Sequence, residues 1–154
     1  MQSQPMQAAD PDFAARVAAS FARQGAMQLI GARLQSVEAG RVVIGLAHRS
    51  ELAQQHGFVH AGILATALDS ACGYAASSLM PADAGALTIE FKVNLLAPAK
   101  GPRFRLEGQV VKLGRTITVV EGRALQIDPT GAERLVATMT TTVMTVTGRD
   151  GIQH

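Results

Sequence analysis

The order of hydrophobic patterns predicts an α+β fold in which a curved antiparallel sheet wraps around one long central helix. Three observations carry this. Residues 62–80 are rich in alanine, contain no proline and hold a single charge, Asp69. An amphipathic helix and a hairpin come before that stretch, and four strand-like segments come after it. A helix apolar almost all the way round has to be buried, and a strand meander is the element available to cover it.

Each element has its own reason. Residues 1–9, "MQSQPMQAA", are polar and proline-containing and read as a loose tail. In "DPDFAARVAASFARQG", Asp10 is placed to cap a helix with Pro11 at its first position; Phe13, Val17 and Phe21 recur every fourth residue, and Gly25 marks the stop. From Met27, "MQLIGARLQSV" and "RVVIGLAH" read as two strands joined by a turn at residues 38–40. The central helix runs from Gly62 to about Met80 and ends before Pro81. Beyond it, Ile89, Phe91, Val93 and Leu95 alternate with polar residues, and three further strands are separated by "LGR" and "DPTG" turns. Residues 147–154 read as a second loose tail, so that one domain covers residues 10–146.

Composition excludes several functions. With 47% apolar and 17% charged residues the 154-residue chain is globular, and it is long enough for one core. It has five Phe, one Tyr and no Trp, and its net charge of +2 is scattered, so neither base stacking nor a long positive surface for nucleic acid or membrane is expected. A single cysteine, Cys72, and the lack of a basic-then-apolar leader suggest a reducing compartment, hence a cytoplasmic protein.

The segment "QQHGFVHAGILATALDSACGYAA" holds the candidate chemistry. Residues 27–146, and "HAGILATALD" above all, resemble the hotdog-fold acyl-CoA thioesterases of the small phenylacetyl-CoA (PaaI-like) type. The resemblance implies a thioester hydrolase with no metal or resident cofactor, coenzyme A being part of the substrate. It also implies site residues: Asp69 as the acid, Gln54 fifteen positions before it, His60 and Gly62 at the helix entry, and Thr88 as the small hydroxyl residue starting the next strand. "VKLGRT" is similar to a turn that meets nucleotide phosphates, which nominates Lys112, Gly114 and Arg115, and Lys100 is a further loop cation for coenzyme A. Solubilising charge is an equal account of these cations.

The physical reading supports and limits these roles. A helix starting near Gly62 offers free backbone donors and the positive dipole end to a thioester carbonyl, although an ordinary helix start with a close-packing glycine looks the same. Ala61 stands where the family has the first of two glycines, and its methyl group narrows backbone access. Asp69 is the discriminating residue, because a carboxylate in an apolar helix needs a partner or a cleft; it could serve as nucleophile or as general base. Gln54 could orient water, while His60 could hold the carbonyl or simply cap the helix. Thr88 is out of phase with the apolar face of its strand. Phe58, Leu64, Tyr74 and Met80 are candidates to line an acyl pocket.

Gly62 and Asp69 are separated by seven residues, or roughly 10 Å of helix, so one helix cannot bring both to one carbonyl. If both act on the same thioester, the acid has to come from a second subunit, and the resemblance likewise implies a homodimer with composite sites at the interface, alone or as a dimer of dimers. Two other functions remain open: a hotdog-type acyl dehydratase or hydratase using His56 and Asp69, and a non-catalytic acyl-CoA-binding module.

Overall fold

The computed structural model describes residues 5–154. Two helices, α1 (Phe13–Arg23) and α2 (Gly25–Ile30), precede a hairpin of β1 (Arg33–Glu38) and β2 (Arg41–Ala47). The long helix α3 (Ala61–Ser77) follows, and then β3 (Gly85–Leu95), β4 (Arg103–Lys112), β5 (Ile117–Ile127) and β6 (Glu133–Val146). The six strands form one antiparallel sheet in the order β1-β2-β4-β5-β6-β3. This is the expected hotdog arrangement, with α3 lying across the concave face. Among the described residues, no helix is long and apolar enough to cross a membrane.

The helix sits close to the sheet because both surfaces are small where they meet. A Cβ at Gly108 of β4 would lie 2.4 Å from the Ala71 carbonyl oxygen, and one at Gly122 of β5 would lie 3.0 Å from the Cys72 sulfur. Ala67, Ala71, Ala75 and Ala76 are fully buried there, while Leu64, Leu68, Phe104, Leu106 and Val120 fill the flanks. Burying a Leu or Phe of this kind contributes about 1.5–3 kcal/mol, and the alanine-to-glycine contact sets how near those side chains come.

Three details differ from the sequence reading. Asp10 is not the N-cap of α1: its carboxylate accepts from the Asp12 N–H and from Arg16 Nε, both at 2.9 Å, and the helix begins at Phe13. These bonds, the Asp12 amide first and Arg16 next, hold the Asp10 carboxyl below its ordinary range. Gly25 does not stop the helical run but opens α2, so Met27–Ile30 is helix and not strand; Met27 and Ile30, three apart, turn into the core, and Gly31, at φ 73°, provides the left-handed exit. Finally, α3 ends at Ser77 rather than near Met80, because Arg16 takes the carbonyls of Ser77 and Met80 at 3.1 Å and the Ser78 hydroxyl accepts the Gly40 N–H.

The two segments read as tails carry contacts. Residues 1–4 lie outside the described residues, but Met6 packs on Gly40, whose Cβ would meet its sulfur at 2.8 Å. At the other end Ile152 covers Gly85, where a Cβ would meet the Ile152 carbonyl oxygen at 2.5 Å, and His154 reaches the start of β3.

Candidate active site

One group of candidates gathers at the start of α3. Loop 54–58 is closed by Gln54 N–H to the Phe58 carbonyl (2.8 Å) and Gly57 N–H to the Gln54 carbonyl (2.9 Å); Gly57, at φ 84°, makes the reversal. The Gln54 side-chain oxygen accepts the His56 N–H, which fixes the amide over the loop. His60 then caps the helix: its carbonyl accepts the Ile63 N–H at 2.9 Å and its Nδ1 accepts the Gly62 N–H at 2.9 Å. With Nδ1 as acceptor, the neutral ring carries its proton on Nε2.

This changes the assignment of donors. The Gly62 N–H, expected to face a carbonyl, is engaged by its own neighbour, whereas the Ala61 N–H has no acceptor among the described residues. Ala61 and His60 line an open cavity of about 480 Å³ together with Gln54, Phe58 and Leu64 on one side and residues 95–99 on the other. Of the four nominated acyl-pocket residues, Phe58 and Leu64 are therefore here. Met80 is buried in the core and Tyr74 belongs to a different site. Lys100 Nζ lies 5.9 Å from the centre of the Phe58 ring, on the rim of the same cavity.

The second group surrounds Asp69, two turns along α3. Thr88 Oγ1 donates to Asp69 Oδ1 at 2.7 Å. Sequence alternation predicts the opposite orientation, because Thr88 is out of step with Phe91 and Val93. A β-bulge resolves it. Thr88 pairs with Val143 but Glu90 pairs with Thr142, so Ile89 is the surplus residue. Thr88, Phe91 and Val93 all stand opposite the inward-facing residues Val143, Thr141 and Met139, and share the helix side.

Asp69 and Thr88 border a small cavity of about 110 Å³ with Gln24, Ser70, Tyr74 and His154. Ser70 donates to the Gln24 side-chain oxygen at 2.8 Å, Gln24 Nε2 donates to the Tyr74 hydroxyl at 3.3 Å, and that hydroxyl lies 3.1 Å from Ser20 Oγ. The sequence signals this polar network only through Ser20 on α1 and Gln24 at its C-cap, four residues apart. Nearby Cys72 is no nucleophile, since burial first, and Asp69 second, push its thiol far above the ordinary range.

The two groups occupy opposite ends of β3. Thr88 aligns through Val143 with Thr118, beside the β4–β5 turn that holds Lys112, Gly114 and Arg115. A Cβ at Gly114 would lie 2.1 Å from the Ile117 carbonyl oxygen, so that turn requires glycine. Leu95 aligns with Ala137 and Ala124 at the other end, where the Lys100 and Gly101 N–H groups donate to Gln126. Within one chain, then, Gln54, His60, Ala61 and Lys100 gather at one end of β3, while Asp69 and Thr88 lie at the other, the end to which strand register also brings the turn of Lys112 and Arg115. His56 is exposed on its loop and is not beside Asp69.

A helix start facing an apolar cavity, with an acid held on the same helix of a hotdog fold, defines the class of protein as a thioester-handling one. The sequence pattern of the thioesterase superfamily matches residues 56–133, and the chain belongs to that superfamily of thioester hydrolases. It is 51% identical to a thioesterase family protein from Silicibacter pomeroyi, whose crystal structure superposes with a TM-score of 0.86 over 88% of this chain and 99% of that one. The E. coli PaaI protein from the phenylacetic acid degradation operon superposes with a TM-score of 0.76 over 87% of this chain and 93% of that one; at 18% identity this shows the shared fold. A Saccharolobus solfataricus relative with a provisional esterase name is 35% identical over 95 residues, which make up 61% of this chain and 66% of the relative.

Proposed function

We propose that the protein hydrolyses an acyl-CoA thioester carrying a small aryl or a short to medium acyl group, in sites composed from two copies of the chain. The observation that carries this reading is the separation of the two groups along β3. That strand is one edge of the sheet, with no further strand on it among the described residues, and Ile89, Phe91 and Leu95 are 53%, 44% and 56% exposed on it. Two such edges meeting antiparallel about a twofold axis would cover those side chains. The same pairing would set the apolar cavity of one protomer against Asp69 of the partner subunit, and Lys100 near the partner subunit's Lys112 and Arg115.

In the assembled site the acyl group lies among Phe58, Leu64 and Leu95, and the thioester oxygen meets the Ala61 N–H with the His60 Nε2–H beside it. The Gly62 N–H joins only if the His60 ring turns aside. Asp69 then either takes a proton from water as it attacks the carbonyl carbon or attacks that carbon itself. In the first route the tetrahedral intermediate expels coenzyme A thiolate, which takes a proton. In the second, the tetrahedral adduct of the Asp69 carboxylate expels the thiolate, which takes a proton, and leaves a mixed anhydride that water then cleaves to the free acid and the Asp69 carboxylate. Single-turnover hydrolysis in ¹⁸O-water tests the second route: label in Asp69 identifies an anhydride cleaved by water at its aspartyl carbonyl, an outcome that the first route cannot give. Lys100, Lys112 and Arg115 hold the phosphates of the carrier, an attachment that weakens with salt.

The test is release of free thiol from a panel of aryl and aliphatic acyl-CoA thioesters by the native chain and by Asp69→Asn. Hydrolysis abolished with binding retained supports the reading. Tight binding without turnover by the native chain would identify a binding module instead, and consumption of enoyl-CoA without free thiol would identify a hydratase.

A further inference from the structure

The last side chain of the sequence closes the polar cavity beside Asp69. His154 Nε2 lies 2.8 Å from the Ala86 nitrogen and Nδ1 lies 3.0 Å from Ser20 Oγ. An amide nitrogen can only donate, so Nε2 is the acceptor and Nδ1 carries the proton. The ring packs edge-on to Tyr74, with centroids 5.8 Å apart. Ala86 stands two residues before Thr88 on an edge of the sheet, where no neighbouring strand among the described residues holds its outward amide.

We propose that His154 is a positioning residue: by accepting the Ala86 N–H and donating to Ser20, it ties the first residues of β3 to α1, and so keeps Thr88 on Asp69. The inference rests on the catalytic reading of Asp69 given above. Its effect on the reaction passes through the bond from Thr88, and His154 itself meets no substrate.

The surroundings favour the neutral ring that this arrangement needs. From α1, Arg16 and Arg23 face it; from α3, Tyr74 touches it and Asp69 forms another wall of the cavity; from β3 come Ala86 and Thr88. Burial first, and the Arg16 charge next, hold the His154 pKa below the ordinary 6.5. Because the folded-state value is lowered, the tie is complete above pH 6.5 and is lost as pH falls through the lowered value. A protonated ring has two donors and no acceptor for Ala86.

The test compares native protein, His154→Ala and His154→Gln, since the Gln amide can accept and donate as the neutral ring does but has no proton to gain. At pH 7.5, His154→Ala should lower kcat by about tenfold with KM within about twofold, and His154→Gln should restore most of the loss. In the Gln protein the acidic limb of the kcat profile should move to lower pH. Hydrogen exchange at the Ala86 and Thr88 amides should quicken in His154→Ala at every pH and in the native chain only at acid pH. Superimposable profiles for all three proteins, or unchanged exchange in His154→Ala, would overturn the proposal. If no thioester in the panel is cleaved, the catalytic reading fails by itself, and exchange still decides whether His154 ties down β3.

Discussion

The two ends of the α3 site are built from different materials. At the helix start, backbone groups and apolar side chains face an open cavity, and the polar atoms there are mostly used up in holding loop 54–58 and the cap. At Asp69, side-chain oxygens and nitrogens dominate, in a small cavity tied by hydrogen bonds to α1, β3 and the C-terminal residue. In the proposed reaction the first end takes the acyl chain and the carbonyl oxygen, and the second the water molecule and its proton. Neither end acts alone in that reaction, and their separation along one helix is the reason the proposal draws the two halves of a site from two copies of the chain.

The largest effect that can break this comparison is at the acid. Asp69→Asn should lower kcat by about a thousandfold or more with little change in KM, measured as thiol release. At the opposite end, Ala61→Pro removes the free N–H while keeping a residue that suits the first position of a helix, and His60, at ψ 135°, already has the backbone that precedes proline. It should cost about a hundredfold in kcat; the loss should be small if Gly62 is the true donor. Mixing and reassociating these two variants should then restore about a quarter of native activity, since half of randomly paired dimers are mixed and each mixed dimer has one of its two sites intact. Sites contained within a single chain would give no recovery. Thr88→Val, which removes the 2.7 Å bond to Asp69, should lower kcat by about tenfold. The smallest effect is at the carrier cations, where Lys100→Ala or Lys112→Ala should raise KM by a few-fold at low salt and less at high salt.

The fold was legible because its signals are periodic. The hairpin around residues 38–40, the proline-free stretch before Pro81 and the four later strands follow from patterns that tertiary structure does not override. The failures are local. Asp10 looks like a cap but has a better partner in Arg16, sixfold removed in sequence, and Gly25 looks like a stop although a second short helix begins on it. At the site, Asp69 could be nominated as a lone carboxylate in an apolar helix, whereas His60 and Gln54 were nominated through the resemblance to the thioesterase pattern. That the His60 ring takes up the Gly62 amide could not be, because it depends on a side-chain rotamer. His154 had no signal at all: it matters through a contact with Ser20, which lies at the far end of the sequence.

The extra residue at Ile89 has a consequence for anyone comparing this chain with its relatives. Upstream of it, even-numbered positions look toward the helix; downstream, odd-numbered ones do. Removing Ile89 would leave Thr88 opposite Val143 and Glu90 opposite Thr142 in plain alternation, so a chain one residue shorter there keeps the hydroxyl of residue 88 on Asp69; flattening the bulge with every residue retained is what would turn that hydroxyl toward solvent. An alignment that places the gap of such a shorter chain a few residues upstream would set the wrong residue against Thr88 and report the hydroxyl as missing.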